Sequence, residues 1–128
     1  CLADPRGTLI GFTALQMQAD RRRLAGIRAL RAQAARTQAP DPDGLQHGLE
    51  VLAESDLRDG LAAIEQPTLW LTGEGDSLTP PSAAQWAAAR QARARSTTLA
   101  GAGHAPFITH PATLSGHIRD WLQEHETP

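Results

Sequence analysis

The second half of the chain alternates short apolar strands with helices, and this alternation restricts the possible folds more than any other feature of the sequence. Residues 68–71 and residues 96–100 each have the pattern of a short strand. A predicted helix follows each of them, the first from residue 80 to about residue 93 and the second from residue 111 onward. Strand, helix, strand and helix in this order predict two parallel strands joined by a right-handed crossover.

Two parallel strands are too few for a stable sheet, because parallel sheets contain several strands and are covered by helices on both faces. We therefore expect further strands from a part of the protein that precedes this chain. The first residue is Cys1 and the only methionine is Met17, which is a weak sign of truncation or processing.

Helices are predicted throughout the first half, where apolar side chains recur at helical spacing. The predicted helices cover residues 9–16, 24–30, 45–52 and 57–64. Asp20 is placed to cap the second of them, and the strong turn composition of residues 39–44 separates the second from the third. The last helix of the chain is expected to turn four side chains inward, those of Leu114, Ile118, Trp121 and Leu122.

Composition and charge exclude several classes of protein. The single cysteine excludes an intramolecular disulfide and any metal site built from several cysteines. A net charge of −2 argues against general nucleic-acid binding. No stretch approaches the ~20 apolar residues of a membrane span and no signal peptide is visible, so we expect a cytoplasmic protein without a membrane partner.

Asp76 and His104 lie just after the two predicted strands, each at a glycine-rich corner. The carboxyl ends of parallel strands meet at one edge of a sheet, where open α/β sheets bind their ligands. A carboxylate that orients an imidazole forms two-thirds of a serine triad. The order of acid and then histidine is that of the α/β-hydrolases, but the Gly-x-Ser-x-Gly motif of their nucleophile is absent from the sequence. In the alternative interpretation, Asp76 caps the next helix and His104 is an ordinary loop histidine.

Residues 75–78, Gly-Asp-Ser-Leu, also match the signature of the GDSL esterases, in which the serine is the nucleophile. That family carries the motif near its N-terminus and has a downstream Asp-x-x-His. Here the residue three before His110 is Phe107, and the motif follows four predicted helices. We therefore interpret the match at Ser77 as accidental.

Two segments of the chain carry a narrower resemblance. One runs from Asp56-Leu57-Arg58 to Pro80, and the other is His104-Ala105-Pro106-Phe107-Ile108-Thr109-His110-Pro111. Together they resemble the pimeloyl-[acyl-carrier protein] methyl ester esterases of biotin synthesis, which are α/β-hydrolases. The similarity extends from roughly Phe12 to the last helix.

The resemblance implies the C-terminal part of an α/β-hydrolase fold: a helical cap segment in residues 1–55, then strand, helix, strand and helix of a parallel sheet in residues 56–128. It also implies a carboxylic ester hydrolase in which Asp76 and His104 are catalytic. The serine and the oxyanion hole would then belong to a missing N-terminal half of the same enzyme. The chain alone is therefore predicted to be inactive.

The implied substrate is a methyl ester attached to acyl-carrier protein, and the implied chemistry needs no metal or organic cofactor. Phe107 and Ile108 follow the histidine closely enough to wall an acyl pocket. A set of arginines in the cap segment could bind the acidic carrier or its phosphate, although a solvated helix face is an equal alternative. These arginines are Arg21, Arg22, Arg23, Arg28 and Arg31.

Two other functions remain open. The first is a non-catalytic hydrolase fragment that binds a carrier protein through the arginines. The second is an α/β-hydrolase esterase with a different ester substrate, because the cap and pocket determine substrate choice rather than the fold.

Overall fold

The computed structural model describes residues 5–37 and 41–125, so Cys1 and part of the predicted turn at residues 39–44 lie outside the described residues. The helices are α1 (Pro5–Gln16), α2 (Arg23–Ala34), α3 (Pro42–Glu54), α4 (Pro81–Ala88), α5 (Pro106–Thr109) and α6 (Pro111–His125). The strands are β1 (Thr68–Gly73) and β2 (Ala94–Leu99), and a 3-10 helix at Arg58–Ala63 precedes β1. None of the described helices is long and apolar enough to cross a membrane.

Strands β1 and β2 pair in parallel, as the alternation of strands and helices predicts. The register runs from Thr68 opposite Ala94 to Gly73 opposite Leu99, so both strands end at the same edge. Helix α4, which connects them, ends at Ala88 rather than near residue 93 as predicted. The residues after it turn back toward the sheet because Arg93 must reach Thr68, whose N–H donates to the Arg93 carbonyl at 3.0 Å.

Helices α4 and α6 both pack against this small sheet. Helix α4 contacts both strands and α6 contacts β1, and Arg95 of β2 forms an ion pair with Glu124 of α6 at 2.8 Å. The prediction of a fully inward stripe on α6 is wrong in part, because Ile118 and Leu122 are 39% and 47% exposed. Two strands offer too little surface to cover the whole apolar side of a helix this long.

The described part of the predicted cap segment, residues 5–37 and 41–55, contains three helices, and two of them pack against other elements. Helix α1 packs against α2, and α2 contacts α5. Met17, at the corner after α1, is completely buried. Helix α3 has no buried residue, and Leu52 on it is 80% exposed. The segment at residues 57–64 is a 3-10 helix within Arg58–Ala63.

Asp20 does not occupy the N-cap of α2, contrary to the prediction. The helix begins at Arg23 and its N-cap is Arg22, which makes no side-chain capping bond. Asp20 is instead buried, at 6% exposure, with its carboxylate turned toward the loop that follows β2.

Candidate active site

The loops that follow β1 and β2 are bonded to each other, which fixes the side chains that they carry. The Glu74 N–H donates to the Leu99 carbonyl and the Gly75 N–H donates to the Ala102 carbonyl, both at 2.9 Å. In addition, the Glu74 carboxylate accepts a hydrogen bond from the Gly101 N–H at 2.8 Å. The two corners therefore form one rigid unit beyond the strand ends.

Glycine is required at two positions of this unit for different reasons. Gly101 has a φ of 71°, in the left-handed region that residues with a Cβ rarely adopt. Gly73, the last residue of β1, lies so close to the backbone carbonyls of Ala102 and Gly103 that an added Cβ would collide with them. The tight packing of backbone on backbone brings the two loops within side-chain reach of each other.

Asp76 and His104 meet at this edge. The Nδ1 atom of His104 lies 2.9 Å from Oδ2 and 3.1 Å from Oδ1 of Asp76. A carboxylate can only accept, so Nδ1 carries the proton and Nε2 of a neutral ring is left as the proton acceptor. The Asp76 side chain is 4% exposed and that of His104 is 30% exposed, so the acid is shielded while the base remains accessible.

Further donors surround the Asp76 carboxylate. Its Oδ1 accepts the N–H of Leu78 at 2.9 Å and that of Thr79 at 3.0 Å, and its Oδ2 accepts the Thr79 hydroxyl at 2.7 Å. Burial alone would raise the pKa of Asp76, but the bonds from Thr79, His104 and Leu78 outweigh burial and lower it. Asp76 is therefore the ionised partner of the imidazole at neutral pH.

Thr79 is a site residue that the sequence analysis missed. Its hydroxyl lies 3.3 Å from His104 Nδ1 as well as 2.7 Å from the Asp76 carboxylate, so it contacts both groups. The sequence does contain a signal for it. Asp followed three residues later by Thr is a spacing at which an Asp side chain bonds the backbone of its own turn.

Residues at the end of α1 and just after it hold the backbone around His104. The sequence analysis also missed these bonds. The His104 N–H donates to the carbonyl of Gln16, the last residue of α1, at 3.0 Å. The preceding N–H, of Gly103, donates to the Asp20 carboxylate at 2.8 Å. No local pattern signals these bonds, because they join residues more than eighty positions apart in the sequence.

Phe107 and Ile108, predicted to wall an acyl pocket, lie on the short helix α5 that follows His104 directly. Phe107 is 62% exposed and Ile108 is partly exposed. Phe107 is therefore largely open to solvent, and the predicted acyl pocket stays a prediction. Ser77 is also exposed, and the carboxylate next to it, rather than its own hydroxyl, contacts the imidazole.

The five arginines of the predicted carrier surface are all exposed, but they are not equivalent. The guanidinium of Arg22 donates to the Thr109 carbonyl at 2.7 Å, and the backbone N–H of Arg21 donates to the Gly101 carbonyl at 2.9 Å. Arg21, Arg22 and Arg23 line an open concavity of about 500 Å³. Arg28 and Arg31 lie farther along α2.

The Asp-Leu-Arg segment that contributed to the resemblance is an exposed ion pair at the start of the 3-10 helix. The Arg58 guanidinium bonds both carboxylate oxygens of Asp56 and lowers the pKa of that carboxyl to about 2. Within residues 5–37 and 41–125, no group of three acidic, histidine or cysteine side chains is arranged to hold a metal ion.

Comparison with known proteins places these features in a family. Residues 2–116 match the model of the alpha/beta hydrolase family. The pimeloyl-[acyl-carrier protein] methyl ester esterase of Aromatoleum aromaticum is 41% identical over 117 residues, which are 91% of this chain and 47% of that protein. The enzyme of the same name from Xanthomonas oryzae pv. oryzae is 38% identical over 119 residues, 93% of this chain and 47% of that protein.

A solved structure of a hydrolase is also similar to this chain. The crystal structure of a hydrolase from Pseudomonas aeruginosa PA01 superposes with a TM-score of 0.70 at 28% identity, covering 94% of this chain and 44% of that one. The chain therefore spans about half the length of the curated relatives and of the structure that it matches.

Proposed function

The chain belongs to the alpha/beta hydrolase family, and on that premise we propose that it supplies the acid and the base of an esterase active site. The proposal rests on the hydrogen bond between His104 Nδ1 and Asp76 Oδ2, which is 2.9 Å long and lies at the edge where the two parallel strands end. A buried, ionised carboxylate fixes the tautomer of the imidazole and stabilises the imidazolium that forms during attack.

In the proposed reaction His104 moves every proton. Its Nε2 takes the proton of a serine hydroxyl as the serine oxygen attacks the ester carbonyl. It then gives this proton to the departing alkoxide, which leaves as the alcohol. Finally it takes a proton from water, whose oxygen displaces the serine and releases the free acid, and the proton returns to the serine. Asp76 stays ionised throughout, and no metal or organic cofactor takes part.

The serine and the oxyanion hole belong, in this proposal, to a part of the enzyme that precedes the chain. The chain spans only about half of its relatives, and β1 and β2 alone form a two-stranded sheet. We assign residues 1–55 to the helical cap and residues 56–128 to the C-terminal part of the hydrolase core. The chain by itself then lacks the groups that form and stabilise the tetrahedral intermediate.

The proposed substrate is the methyl ester of pimeloyl-acyl-carrier protein, which is named in the relatives from Aromatoleum aromaticum and Xanthomonas oryzae. Hydrolysis would give methanol and a free carboxylate, in keeping with a role in biotin synthesis. Phe107, exposed and three residues beyond His104, would form one wall of the acyl pocket together with Ile108.

The arginines of the cap would bind the acidic carrier protein or its phosphate. Arg23, Arg28 and Arg31 are exposed, so their guanidinium groups can form bidentate bonds with carboxylate or phosphate oxygens. Arg22 is already bonded to the Thr109 carbonyl, so its contribution to docking would be smaller. Reversing Arg23, Arg28 and Arg31 to Glu should raise KM for the carrier-linked ester and leave KM for a small free ester unchanged.

The test is hydrolysis of pimeloyl-acyl-carrier protein methyl ester, measured as released methanol, by the complete encoded protein and by its His104→Ala variant. We expect turnover by the complete protein, loss of at least about 10³-fold in the variant, and none from residues 1–128 alone. Turnover of other methyl esters but not of this one would indicate another esterase of the family. Binding of the carrier protein without hydrolysis of any ester would contradict the proposed esterase activity and favour a non-catalytic binding module.

A further inference from the structure

Asp20 is a buried carboxylate that the proposed reaction does not use. Its side chain has no exposed surface, and burying a carboxylate is costly unless its oxygens are bonded. The oxygens are bonded here: Oδ1 accepts the Arg22 N–H at 2.6 Å, and the His110 Nδ1 lies 3.7 Å from Oδ2.

The remaining bonds of Asp20 go to residues on both sides of His104, one in the preceding loop and one at the end of α5. Its Oδ2 accepts the Gly103 N–H at 2.8 Å, one residue before the histidine, and the Thr109 hydroxyl at 2.7 Å, five residues after it. The Gln16 carbonyl binds the histidine N–H itself. Residues 16–20 thus hold the chain around His104 at three points.

We propose that Asp20 is a positioning residue that fixes the backbone of His104 so that the imidazole meets Asp76. This inference rests on the proposed function, in which His104 is the base. The contact between the ring and the acid spans 2.9 Å, and a general base works only within such hydrogen-bond reach of its partners. Because Asp20 lies between α1 and α2, it also ties the placement of the cap segment to the placement of the base.

Asp41 provides a matched control for the substitution of Asp20. It also precedes a cap helix, and its carboxylate also accepts a backbone N–H, from Gly44 at 2.9 Å, but it is exposed and distant from the histidine loop in the chain. In the complete protein we expect Asp20→Asn to lower kcat by about ten- to a hundred-fold with KM changed by less than about two-fold. Asp41→Asn should leave both constants unchanged.

Thr109 provides a second route that keeps the carboxylate in place. Thr109→Val has nearly the same shape but removes the hydroxyl that donates to Asp20, whereas Thr109→Ser keeps the hydroxyl. We expect Thr109→Val to lower kcat and Thr109→Ser to restore most of it. This pair decides the question even if Asp20→Asn fails to fold.

A spectroscopic readout separates this inference from the proposed function. The ring nitrogens of His104 can be followed by ¹⁵N NMR in the complete protein, and we expect Asp20→Asn and Thr109→Val to shift the Nδ1 signal while Asp41→Asn does not. Unchanged kcat and an unchanged Nδ1 signal in Asp20→Asn and Thr109→Val would overturn the positioning role. If the wild-type protein hydrolyses no ester, the proposed function fails, and the NMR signal alone still decides the role of Asp20.

Discussion

The carbonyl oxygen of Gln16 accepts the backbone N–H of His104 across 3.0 Å. The end of α1 therefore contacts His104, the proposed base, although the two are far apart in the sequence. Gly103, next to that histidine, is packed so closely against Gln16 that an added Cβ would lie 2.9 Å from the same carbonyl oxygen. The C-terminal end of α1 thus directly supports the backbone of the candidate site.

Replacing Asp76 with Asn should nearly abolish ester hydrolysis. The amide keeps the shape of the side chain, but it cannot hold the Nδ1–H tautomer of His104 or stabilise the imidazolium, and such a change costs about 10⁴-fold in kcat in a serine triad. The measurement is kcat of the complete protein on a carrier-linked or small methyl ester. The control is Ser77→Ala, which removes an exposed hydroxyl next to the acid and should leave kcat unchanged. A large loss in Ser77→Ala would instead revive the interpretation of residues 75–78 as a GDSL motif.

The strands and the acid–histidine pair could be predicted because their signals are local. Apolar runs and glycine corners mark β1, β2 and the loops of Asp76 and His104, and the structure places both side chains at one edge as expected. The order of the longer helices and the strands follows from periodicity and from the prolines at the starts of α4 and α6, whereas α5 was not predicted and residues 57–64 contain a 3-10 helix. The parallel pairing then follows from the crossover rule.

The features that sequence reasoning missed depend on contacts between distant residues. Asp20 looks like a helix cap by its position, and only the folded chain brings its carboxylate to Gly103 and Thr109. The apolar side chains of α3 and α6 predict burial, but Leu52 and Leu122 remain 80% and 47% exposed. A stripe of apolar residues indicates which side of a helix would be buried by packing. It does not show whether another element among the described residues covers that side.

The stability of the protein should fall in acid because two buried carboxylates are bonded in the folded state. Burial would raise the pKa values of Asp20 and Asp76, but their hydrogen bonds outweigh it and lower both below the usual 3.8. A group with a lowered folded pKa contributes stability that is fully present above its unfolded pKa and is lost as the pH falls through the folded value. The free energy of unfolding should therefore decrease progressively below pH 3.8.

Urea unfolding of the complete protein at a series of pH values tests this expectation. Asp20→Asn and Asp76→Asn each remove one of the titrating groups, so each variant should be less stable than the wild type at neutral pH and should lose less stability in acid. Asp41→Asn serves as the exposed control. If the free energy of unfolding falls equally steeply with decreasing pH in the wild type and in both variants, these two carboxylates do not cause the loss of stability in acid.

Arg22 and Arg23 are adjacent and both exposed, but their truncation should have different effects on stability. The Arg22 guanidinium donates to the Thr109 carbonyl at 2.7 Å and so ties the start of α2 to α5. We expect Arg22→Ala to lower the free energy of unfolding by about 1 kcal/mol and Arg23→Ala to change it by less than about 0.5 kcal/mol. Chemical denaturation of the two variants under identical conditions makes the comparison. Equal effects would mean that the bond to Thr109 contributes nothing measurable.

Gly26 on α2 should not tolerate a methyl group, whereas Gly116 on α6 should gain from one. A Cβ at Gly26 would lie 2.5 Å from the Met17 sulfur and 2.8 Å from Cγ2 of Thr109, both of which are buried where α2 meets α5. Nothing lies within 4 Å of a Cβ at Gly116. We expect Gly26→Ala to cost about 1–3 kcal/mol through overpacking and Gly116→Ala to stabilise by up to about 1 kcal/mol through helix propensity.

Thermal unfolding of the complete protein distinguishes the two glycines, because both substitutions add the same methyl group to a helix interior. The Tm should fall for Gly26→Ala and rise for Gly116→Ala. Since Thr109 also binds Asp20, the displaced Thr109 in Gly26→Ala should lower kcat as well, and Gly116→Ala should not. A rise in Tm for both variants would show that the side chains around Met17 rearrange at little cost. Contacts that rearrange so readily could not fix the position of His104, and the positioning role of this corner would be contradicted.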